Sequence, residues 1–460
     1  MATTPTAPTA PTTSTWRRAR IAPRGADTVT LLTFFLVLLF AIPSRLVFAP
    51  LGGSGGPAEM LGMGALLWWA WSRLAQSSST PTASRPVRRA MLVFMAACLA
   101  SYVAAMVRPI DPVELRAADR GVLSLCAWLG ILLLTADGTQ SRARFEVLMR
   151  RVVAAGGAMA TLGILQFETG LAFTNLIQVP GLSESAELMG VGGREGFNRP
   201  AGTALHPIEF GIVLTMVLPL AIHFALADRE RPWLRRWYPV LTLAFAIPIS
   251  ISRSAIVCTV VGLAFLLPTW SRGLRRRAYA AIAGLMVVVF VTIPGMLGTL
   301  VGLFSGIGND SSALSRTGSY ALAWDFITRT PFVGRGFQTF LPVYRILDNQ
   351  YLLITIEAGV IGLGTLLWLF GSGVRTGLRV RRRSTDPQVR GLAQALAASI
   401  AAGAFGFVLF DAFSFPQLSA LVFLVLGAAE GLHRLQVLEH SRSAEPAAGV
   451  PATAGAPPGG

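Results

Sequence analysis

The chain has 460 residues, of which 53% are hydrophobic and only 13% are charged, and its mean hydropathy is +0.58. An ordinary soluble domain contains about 25% charged residues, so this composition excludes a water-soluble globular protein. The formal net charge is +16, and all 39 basic residues are arginines. The placement of these arginines decides what the charge means.

The apolar residues form twelve blocks that are separated by arginine-bearing stretches. A helix needs about 20 apolar residues to cross about 30 Å of hydrocarbon, and the blocks are too long and too continuous for barrel strands. The sequence therefore predicts an all-α, polytopic helical integral membrane protein with about 12 transmembrane helices. The predicted spans are 28–48, 58–71, 90–107, 121–136, 152–167, 208–227, 238–251, 254–268, 278–300, 350–370, 391–410 and 417–432.

The arginines follow the alternation of these spans. With a cytoplasmic N-terminus, 28 arginines fall in the inside segments and 11 fall outside. Because short arginine-rich loops are retained in the cytoplasm, both termini are predicted to be cytoplasmic. The clusters are spread over seven segments without interleaved aromatic residues, so the lipid bilayer is an expected partner and nucleic acid is not.

The ends of the chain differ in composition from its centre. Residues 1–27 and 443–460 are predicted to be disordered cytoplasmic tails, because their Thr, Pro, Ala and Gly residues cannot form a core. Residues 28–434 are predicted to form a single transmembrane domain. The first span lacks a small-residue cleavage site, so we expect it to be a retained signal anchor.

Two predicted outer loops, 168–207 and 301–349, are much longer than the other loops. Long loops in compact proteins are commonly functional, although a simple extracellular cover is the alternative. The second is a large extracytoplasmic loop between spans 9 and 10. Its aromatic residues have spacings that predict a short amphipathic helix on the membrane face. They are Trp324, Phe326, Phe332, Phe337 and Phe340.

Polar residues that could support chemistry recur on the predicted outer side. Ionisable residues at a membrane are costly and therefore indicate function. Arg253 lies in a short turn between two spans, where it binds an anion or a carbonyl or merely anchors the interface. His206 precedes a proline at a helix entrance, where a cap or packing role is the alternative to a site role. The segments are NRPAGTALHPIEFG with Arg199 and His206, ISRSA with Arg253, SRTGSYALAWDFITRTPFVGRGF with Arg316 and Arg335, and LDNQYLL with Asp348, Asn349 and Tyr351.

The sequence lacks the common motifs for metal and nucleotide chemistry. It contains no HExxH, DxD, Walker or GxSxG motif, and the glycine-rich stretch at 190–196 does not follow a predicted strand. Cys98, Cys126 and Cys258 have no CxxC spacing and are predicted to be small core residues. We therefore expect neither a metal nor a cofactor.

In their order and spacing, these motifs resemble the O-antigen ligase and O-antigen polymerase superfamily of bacterial envelope enzymes over about 199–362. The ligases usually carry His-Asn where this chain has Asp348 and Asn349, and this departure favours a polymerase. The matching residues are Arg199, Gly202, Thr203, His206 and Pro207; Ser252 and Arg253; Arg316, Trp324, Pro331, Gly334 and Gly336; and Asp348, Asn349, Tyr351, Leu352, Glu357, Ala358, Gly359 and Gly362.

The resemblance implies a metal-independent glycosyltransferase or polymerase in the bacterial inner membrane. Its partners would be a polyprenyl-diphosphate-linked glycan donor and a glycan acceptor. Arg253 and Arg316 would stabilise the diphosphate, because guanidinium groups bind phosphate oxygens in pairs. Asp348 would act as general base, or alternatively would only cap the tenth span. The predicted substrate-binding residues are Arg199, His206, Arg335, Asn349 and Tyr351.

Other functions remain possible at the level of sequence. Transfer to a lipid, protein or wall acceptor is the ligase alternative. A secondary transporter or flippase could also have twelve spans, and a non-catalytic scaffold is a further alternative. Transporters generally show internal repeats and midplane binding elements, whereas this chain shows no visible repeat and its ionisable residues lie at one predicted face.

Overall fold

The computed structural model describes residues 27–74, 84–185, 192–194, 196–305 and 311–444. The two predicted tails lie almost entirely outside these ranges. The described helices are α1 (Thr28–Ala41), α2 (Pro57–Leu74), α3 (Pro86–Met106), α4 (Pro112–Gly138), α5 (Arg142–Thr169), α6 (Pro207–Ala227), α7 (Trp233–Ile249), α8 (Arg253–Leu266), α9 (Arg272–Thr292), α10 (Met296–Ser305), α11 (Ser311–Arg329), α12 (Gln350–Arg383), α13 (Pro387–Gly406) and α14 (Pro416–Ala444). Two antiparallel pairs join β1 (Leu46–Val47) to β2 (Ser183–Glu184) and β3 (Gly192–Arg194) to β4 (Phe197–Arg199).

The architecture is all-α, as predicted, and each predicted span overlaps a helix. Among the described residues, seven helices are long and apolar enough to cross a membrane, or eight if the bent pair of α9 and α10 is one span. The predicted count of twelve spans is therefore not confirmed. The ninth predicted span is wrong as a single helix, because α9 and α10 meet at 116°. Pro294 and Gly295, whose φ is 85°, occupy the break and prevent helical continuation.

Glycines allow the central helices to approach closely. A methyl group on Gly130 of α4 would lie 2.2 Å from the carbonyl oxygen of Gly62 in α2. A methyl group on Gly427 of α14 would lie 2.5 Å from the carbonyl oxygen of Leu132 on α4. Small residues at helix contacts are typical of membrane bundles, where close packing replaces the hydrophobic drive of water. The core of the bundle is therefore built around α4.

One end of the bundle, which we call the arginine-rich end, contains the end of α2 with the start of α3, and the turns that link α4 to α5, α6 to α7, α8 to α9 and α12 to α13. Ion pairs and a buried cap connect four of these five regions to one another, so the arginine clusters of the described residues in these regions lie at the same end. The connecting pairs are Arg85 with Asp137, Arg150 with Asp228, Arg142 with Asp386, and Glu430 with the N–H groups of Val87 and Arg88.

The opposite end, which we call the loop end, contains the described parts of 42–56, 107–111, 170–206, 250–252, 293–349 and 407–415. Arg45 lies here and not inside a span, because α1 ends at Ala41. Its guanidinium binds the carbonyl oxygen of Thr174 at 2.8 Å and the Glu184 carboxylate at 3.4 Å. Arg45 therefore ties the first loop to the segment that leads toward α6.

The long helix α12 is broken where a loop segment inserts into it. At Gly359, with φ 68° and ψ −172°, the helical hydrogen bonds cease. The carbonyl oxygens of residues 356 and 357 accept instead from the N–H groups of residues 335 and 336 at 3.0 Å each. The N–H groups of residues 360 and 361 donate to the carbonyl oxygens of residues 331 and 332.

These four bonds satisfy backbone groups that would otherwise be unpaired at membrane depth. Glycine is required on both sides of the contact. A methyl group on Gly359 would lie 2.1 Å from the carbonyl oxygen of Phe332, and one on Gly334 would lie 2.2 Å from that of Glu357. The segment 331–336 is thus part of the bundle and forms the base of the loop that ends at Asp348.

Candidate functional site at the loop end

Arg199 is positioned by a short hairpin. Strand β3 pairs antiparallel with β4, so that Gly192 lies opposite Arg199, and Gly196 with φ 82° occupies the turn. The Arg199 side chain donates from Nε to the carbonyl oxygen of Ser250 at 3.2 Å. Ser250 ends α7 and lies two residues before the cap of α8. The hairpin therefore brings Arg199 close to the turn that carries Arg253.

Arg253 is the first residue of α8, and its side chain is half-buried. Ser252 caps this helix by accepting the N–H of Ala255 at 3.3 Å. The preceding Ile251 has φ 47°, which is rare for a β-branched residue, and its side chain is fully buried. Backbone strain of this kind persists only where the surroundings enforce it, and it clusters at functional sites. The turn holds Arg253 at a helix N-terminus, where backbone N–H groups attract anions.

His206 caps α6, as the alternative to a role in the site predicts. Its Nδ1 accepts the N–H of Ile208 at 3.1 Å, so the proton of the neutral ring lies on Nε2. Burial lowers the pKa of His206 to about 4, and the Arg199 cation contributes to the shift. The imidazole is therefore neutral at neutral pH and offers a hydrogen-bond donor, not a charge. A role in substrate binding stays a prediction.

Asp348 and Asn349 lie at the start of α12. The helix is capped by Asn349, whose Oδ1 accepts the N–H of Leu352 at 3.1 Å. The alternative in which Asp348 is the cap is therefore wrong. Asp348 is half-buried directly before this cap. The hydroxyl of Tyr351 donates to the carbonyl oxygen of Ala404 at 2.7 Å, which joins α12 to α13.

The bend between α13 and α14 lies beside the starts of both α6 and α12. The N–H of Gln350 contacts the carbonyl oxygens of Phe407 and Phe410 at 2.8 and 3.1 Å. On the other side of the bend, the rings of His206 and Phe415 lie 6.2 Å apart. The capped start of α6 and the capped start of α12 therefore face the same bend.

Arg335 lies in a separate cluster, where its side chain binds other side chains of the protein. It pairs with the Glu114 carboxylate and lies 5.0 Å from the ring centre of Phe326 and 4.8 Å from that of Tyr344. Arg108 completes the group by binding the second Glu114 oxygen at 3.0 Å. The structure thus places Arg335 in a packed cluster, and substrate contact by Arg335 remains a prediction.

Position 316 lies on α11, and its side chain falls outside the described residues. Further along α11, Ser319 and Ala323 are buried. Ser319 accepts a hydrogen bond from Nε of Arg345 at 3.1 Å, and Ala323 packs in a cluster with Leu347. Ser319 and Ala323 of α11 therefore face the segment that ends at Asp348.

The aromatic pattern of the 301–349 loop predicted its helix only in part. Trp324 and Phe326 lie on α11, and the Trp324 side chain is 68% exposed. Phe332, Phe337 and Phe340 follow the helix, and the last two are buried. Phe337 packs beside Gly121 of α4 and Phe340 packs with residues of α12, whereas Phe332 is 67% exposed, so these three residues do not form one face of a surface helix.

Sequence reasoning missed three carboxylates at the loop end. Glu114 binds Arg335 and Arg108 as described, and Glu209 accepts the N–H groups of Leu205 and Gln417 at 2.7 Å each. Asp411 lies in the α13–α14 bend, directly after Phe410. An aspartate in a short predicted outer loop was the available signal for Asp411. Glu114 and Glu209 gave no comparable signal, because Arg335 and Gln417, which they bind, lie 221 and 208 residues away in sequence.

Comparison with protein families gives one match. Residues 238–369 match a family model described as O-antigen ligase, and no curated protein matches the chain. The matched segment runs from α7 into α12 and contains six of the eight predicted site residues, namely Arg253, Arg316, Arg335, Asp348, Asn349 and Tyr351. Arg199 and His206 lie before it. The predicted resemblance is thereby confirmed over residues 238–369: this segment of a multi-pass membrane protein is similar to the O-antigen ligase family, which is associated with glycan transfer in envelope biogenesis.

Proposed function

We propose that the protein transfers an oligosaccharide from a polyprenyl-diphosphate-linked donor to a glycan acceptor at the loop end, and that the reaction extends a polysaccharide. The observation that carries the proposal is the common location of the predicted residues. The segment that matches the O-antigen ligase model contains the Arg253 turn and the capped start of α12, and both lie at the loop end of the bundle.

The chemistry needs stabilisation of a diphosphate leaving group and removal of one proton. The acceptor hydroxyl oxygen attacks the anomeric carbon of the donor sugar, and the bond from that carbon to the diphosphate oxygen breaks. The diphosphate leaves with the electron pair, and its charge is stabilised by Arg253 and Arg316. Asp348 accepts the hydroxyl proton as general base.

The electrostatic setting supports this assignment. Helices α6, α8, α12 and α14 all begin at the loop end, so their positive dipole ends lie there. Arg199 lies beside the start of α8, and the capped His206 at the start of α6 is neutral. An anionic headgroup at this end is therefore attracted by arginines and by helix N-termini together.

Reconstitution tests the proposal. The full chain in sealed proteoliposomes, supplied with a polyprenyl-diphosphate-linked oligosaccharide, is expected to produce a ladder of longer lipid-linked glycans. A single transfer to an added lipid acceptor without a ladder would favour the ligase alternative. Movement of a labelled donor across the bilayer without new glycosidic bonds would contradict the proposal and favour a flippase.

We also propose that the arginine-rich end is cytoplasmic and the loop end extracytoplasmic, in the inner membrane of a bacterium. Ion pairs gather the arginine clusters at one end, which is the pattern that retention of positive loops produces. In intact cells, an impermeant thiol reagent is expected to label cysteine introduced at position 312 and not at position 384. Labelling at 384 alone would mean that the orientation is inverted.

A further inference from the structure

Glu114 lies at the centre of the cluster at the loop end that contains Arg335, and Glu114 is only 2% exposed. One carboxylate oxygen accepts from the Arg335 guanidinium and from the Tyr344 hydroxyl, and the other accepts from Arg108 at 3.0 Å. Two cations and one hydroxyl donor thus occupy three of the roughly four acceptor sites of this buried carboxylate. Glu114 is therefore placed to hold protein groups and not to contact a substrate.

The contacts of Glu114 span the loop that ends at Asp348. Arg335 belongs to the segment inserted in α12, and Tyr344 lies four residues before Asp348. Arg108 reinforces the connection, because its Nε and Nη2 donate to the carbonyl oxygen of Arg335 at 3.3 and 3.1 Å. Two residues near the junction of α3 and α4 thus hold the loop. Glu114 binds it through its carboxylate, and Arg108 binds the backbone carbonyl of Arg335.

The rest of the loop is fixed at its far side. Arg345 is bound to Ser319 of α11, and Leu347 is buried against Ala323 and Leu353. Asn349 caps α12. Between these points and the inserted segment, Glu114 provides the charged contact that holds Tyr344.

On these contacts we propose that Glu114 is a positioning residue of the transfer reaction, which holds the 335–348 loop so that Asp348 meets the acceptor hydroxyl. The inference rests on the proposed function. Loss of the carboxylate would leave the Arg108 and Arg335 cations together without an anion, and their repulsion would displace the loop. A displacement of about 1 Å at a reacting group can cost about 10²-fold in rate.

The test compares Glu114→Gln and Tyr344→Phe with the wild-type chain in the same proteoliposome assay. We expect kcat to fall by about 10²-fold in Glu114→Gln and by a smaller factor in Tyr344→Phe, which keeps the ion pairs. The donor KM should change little, because Arg253 lies on α8, outside the cluster. Tyr344→Phe remains informative if Glu114→Gln folds poorly.

Asp119→Asn is the matched control. Asp119 accepts the hydroxyl of Tyr102 at 2.7 Å, so the control neutralises the carboxylate of an exposed carboxylate–tyrosine contact between α4 and α3. It does not touch the loop, and kcat should remain at the wild-type value. An equal loss of kcat in this variant would mean that weakened α3–α4 packing causes the effect, which would overturn the positioning role.

A spectroscopic measurement on the purified full chain separates the contact from the reaction. The hydrogen bond to Glu114 raises the pKa of Tyr344. In Glu114→Gln the tyrosinate absorbance of Tyr344, isolated by subtracting the matching Tyr344→Phe variant, is expected to appear at lower pH. Asp119→Asn should leave this titration unchanged.

The two failures are distinguishable. If the wild-type chain transfers glycan and Glu114→Gln loses the Tyr344 shift while keeping kcat, the positioning role is wrong and the proposed function stands. If the wild-type chain transfers no glycan, the proposed function fails. The positioning role then falls with it, even where the Tyr344 titration demonstrates the contact.

Discussion

Asp348→Asn is expected to lower the rate of glycan transfer by about 10²–10⁴-fold, because it removes the proton acceptor from the attacking hydroxyl. The structure sharpens this expectation, since α12 is capped by Asn349 and the cap survives the substitution. Expression and donor binding should therefore remain normal. The chain-length distribution of the glycan product measures the effect.

Two further variants define the result for Asp348. Asp348→His is expected to restore part of the rate, because imidazole accepts a proton near neutral pH. Asp111→Asn is the control, since Asp111 caps α4 at the same end by accepting the N–H of Val113 at 2.7 Å and Asn caps about as well as Asp. Full-length ladders from Asp348→Asn would reject the role as general base.

Arg253→Ala is expected to lower transfer by at least about 10²-fold, because one fixed donor to the leaving diphosphate is lost. Arg253→Lys should recover little, since a point-charge ammonium does not replace a planar guanidinium that binds two oxygens. Arg316→Ala and Arg316→Lys should behave in the same way. Membrane insertion of all four variants, measured by membrane fractionation, should be normal.

The chain contains a close control for Arg253. Arg272 is likewise the first residue of a helix, and Ser271 caps α9 as Ser252 caps α8. It lies at the arginine-rich end, so Arg272→Ala and Arg272→Lys are expected to leave transfer unchanged. Near-wild-type activity of Arg253→Lys would show that bidentate binding is not needed, and activity of Arg253→Ala would reduce Arg253 to an interface anchor.

Hydropathy predicted the helices because a long apolar segment in a membrane must form its backbone hydrogen bonds internally, as a helix does. It could not predict breaks that depend on another segment. At Gly359 the helical bonds are replaced by bonds to residues 331–336, which lie in a different part of the chain. The break at Pro294 and Gly295 carried a local signal, but its 116° bend was not readable from composition.

The location of a site residue was predictable where its residue type and its sequence neighbours determine the local structure. Arg253 after a serine cap and His206 before a proline lie at helix starts, as their sequence neighbours indicate. The choice between Asp348 and Asn349 as cap was not predictable, since both residue types cap well. Long-range bonds from Gln350 to Phe407 and Phe410 fix where α12 begins. Glu114 could not be found either, because Arg335 and Tyr344 lie 221 and 230 residues away in sequence.

The inserted segment in α12 has a consequence for how the site can move. Four backbone hydrogen bonds join residues 331–336 to both sides of the break, so the outer part of α12 and the base of the loop are expected to shift as one rigid body. Arg335 and Asp348 then keep their separation during such a motion. Arg253 belongs to α8, and α13 packs against both α8 and α12, so the distance between Arg253 and Asp348 is set through α13. Closure around a donor would shorten that distance without unfolding either helix start.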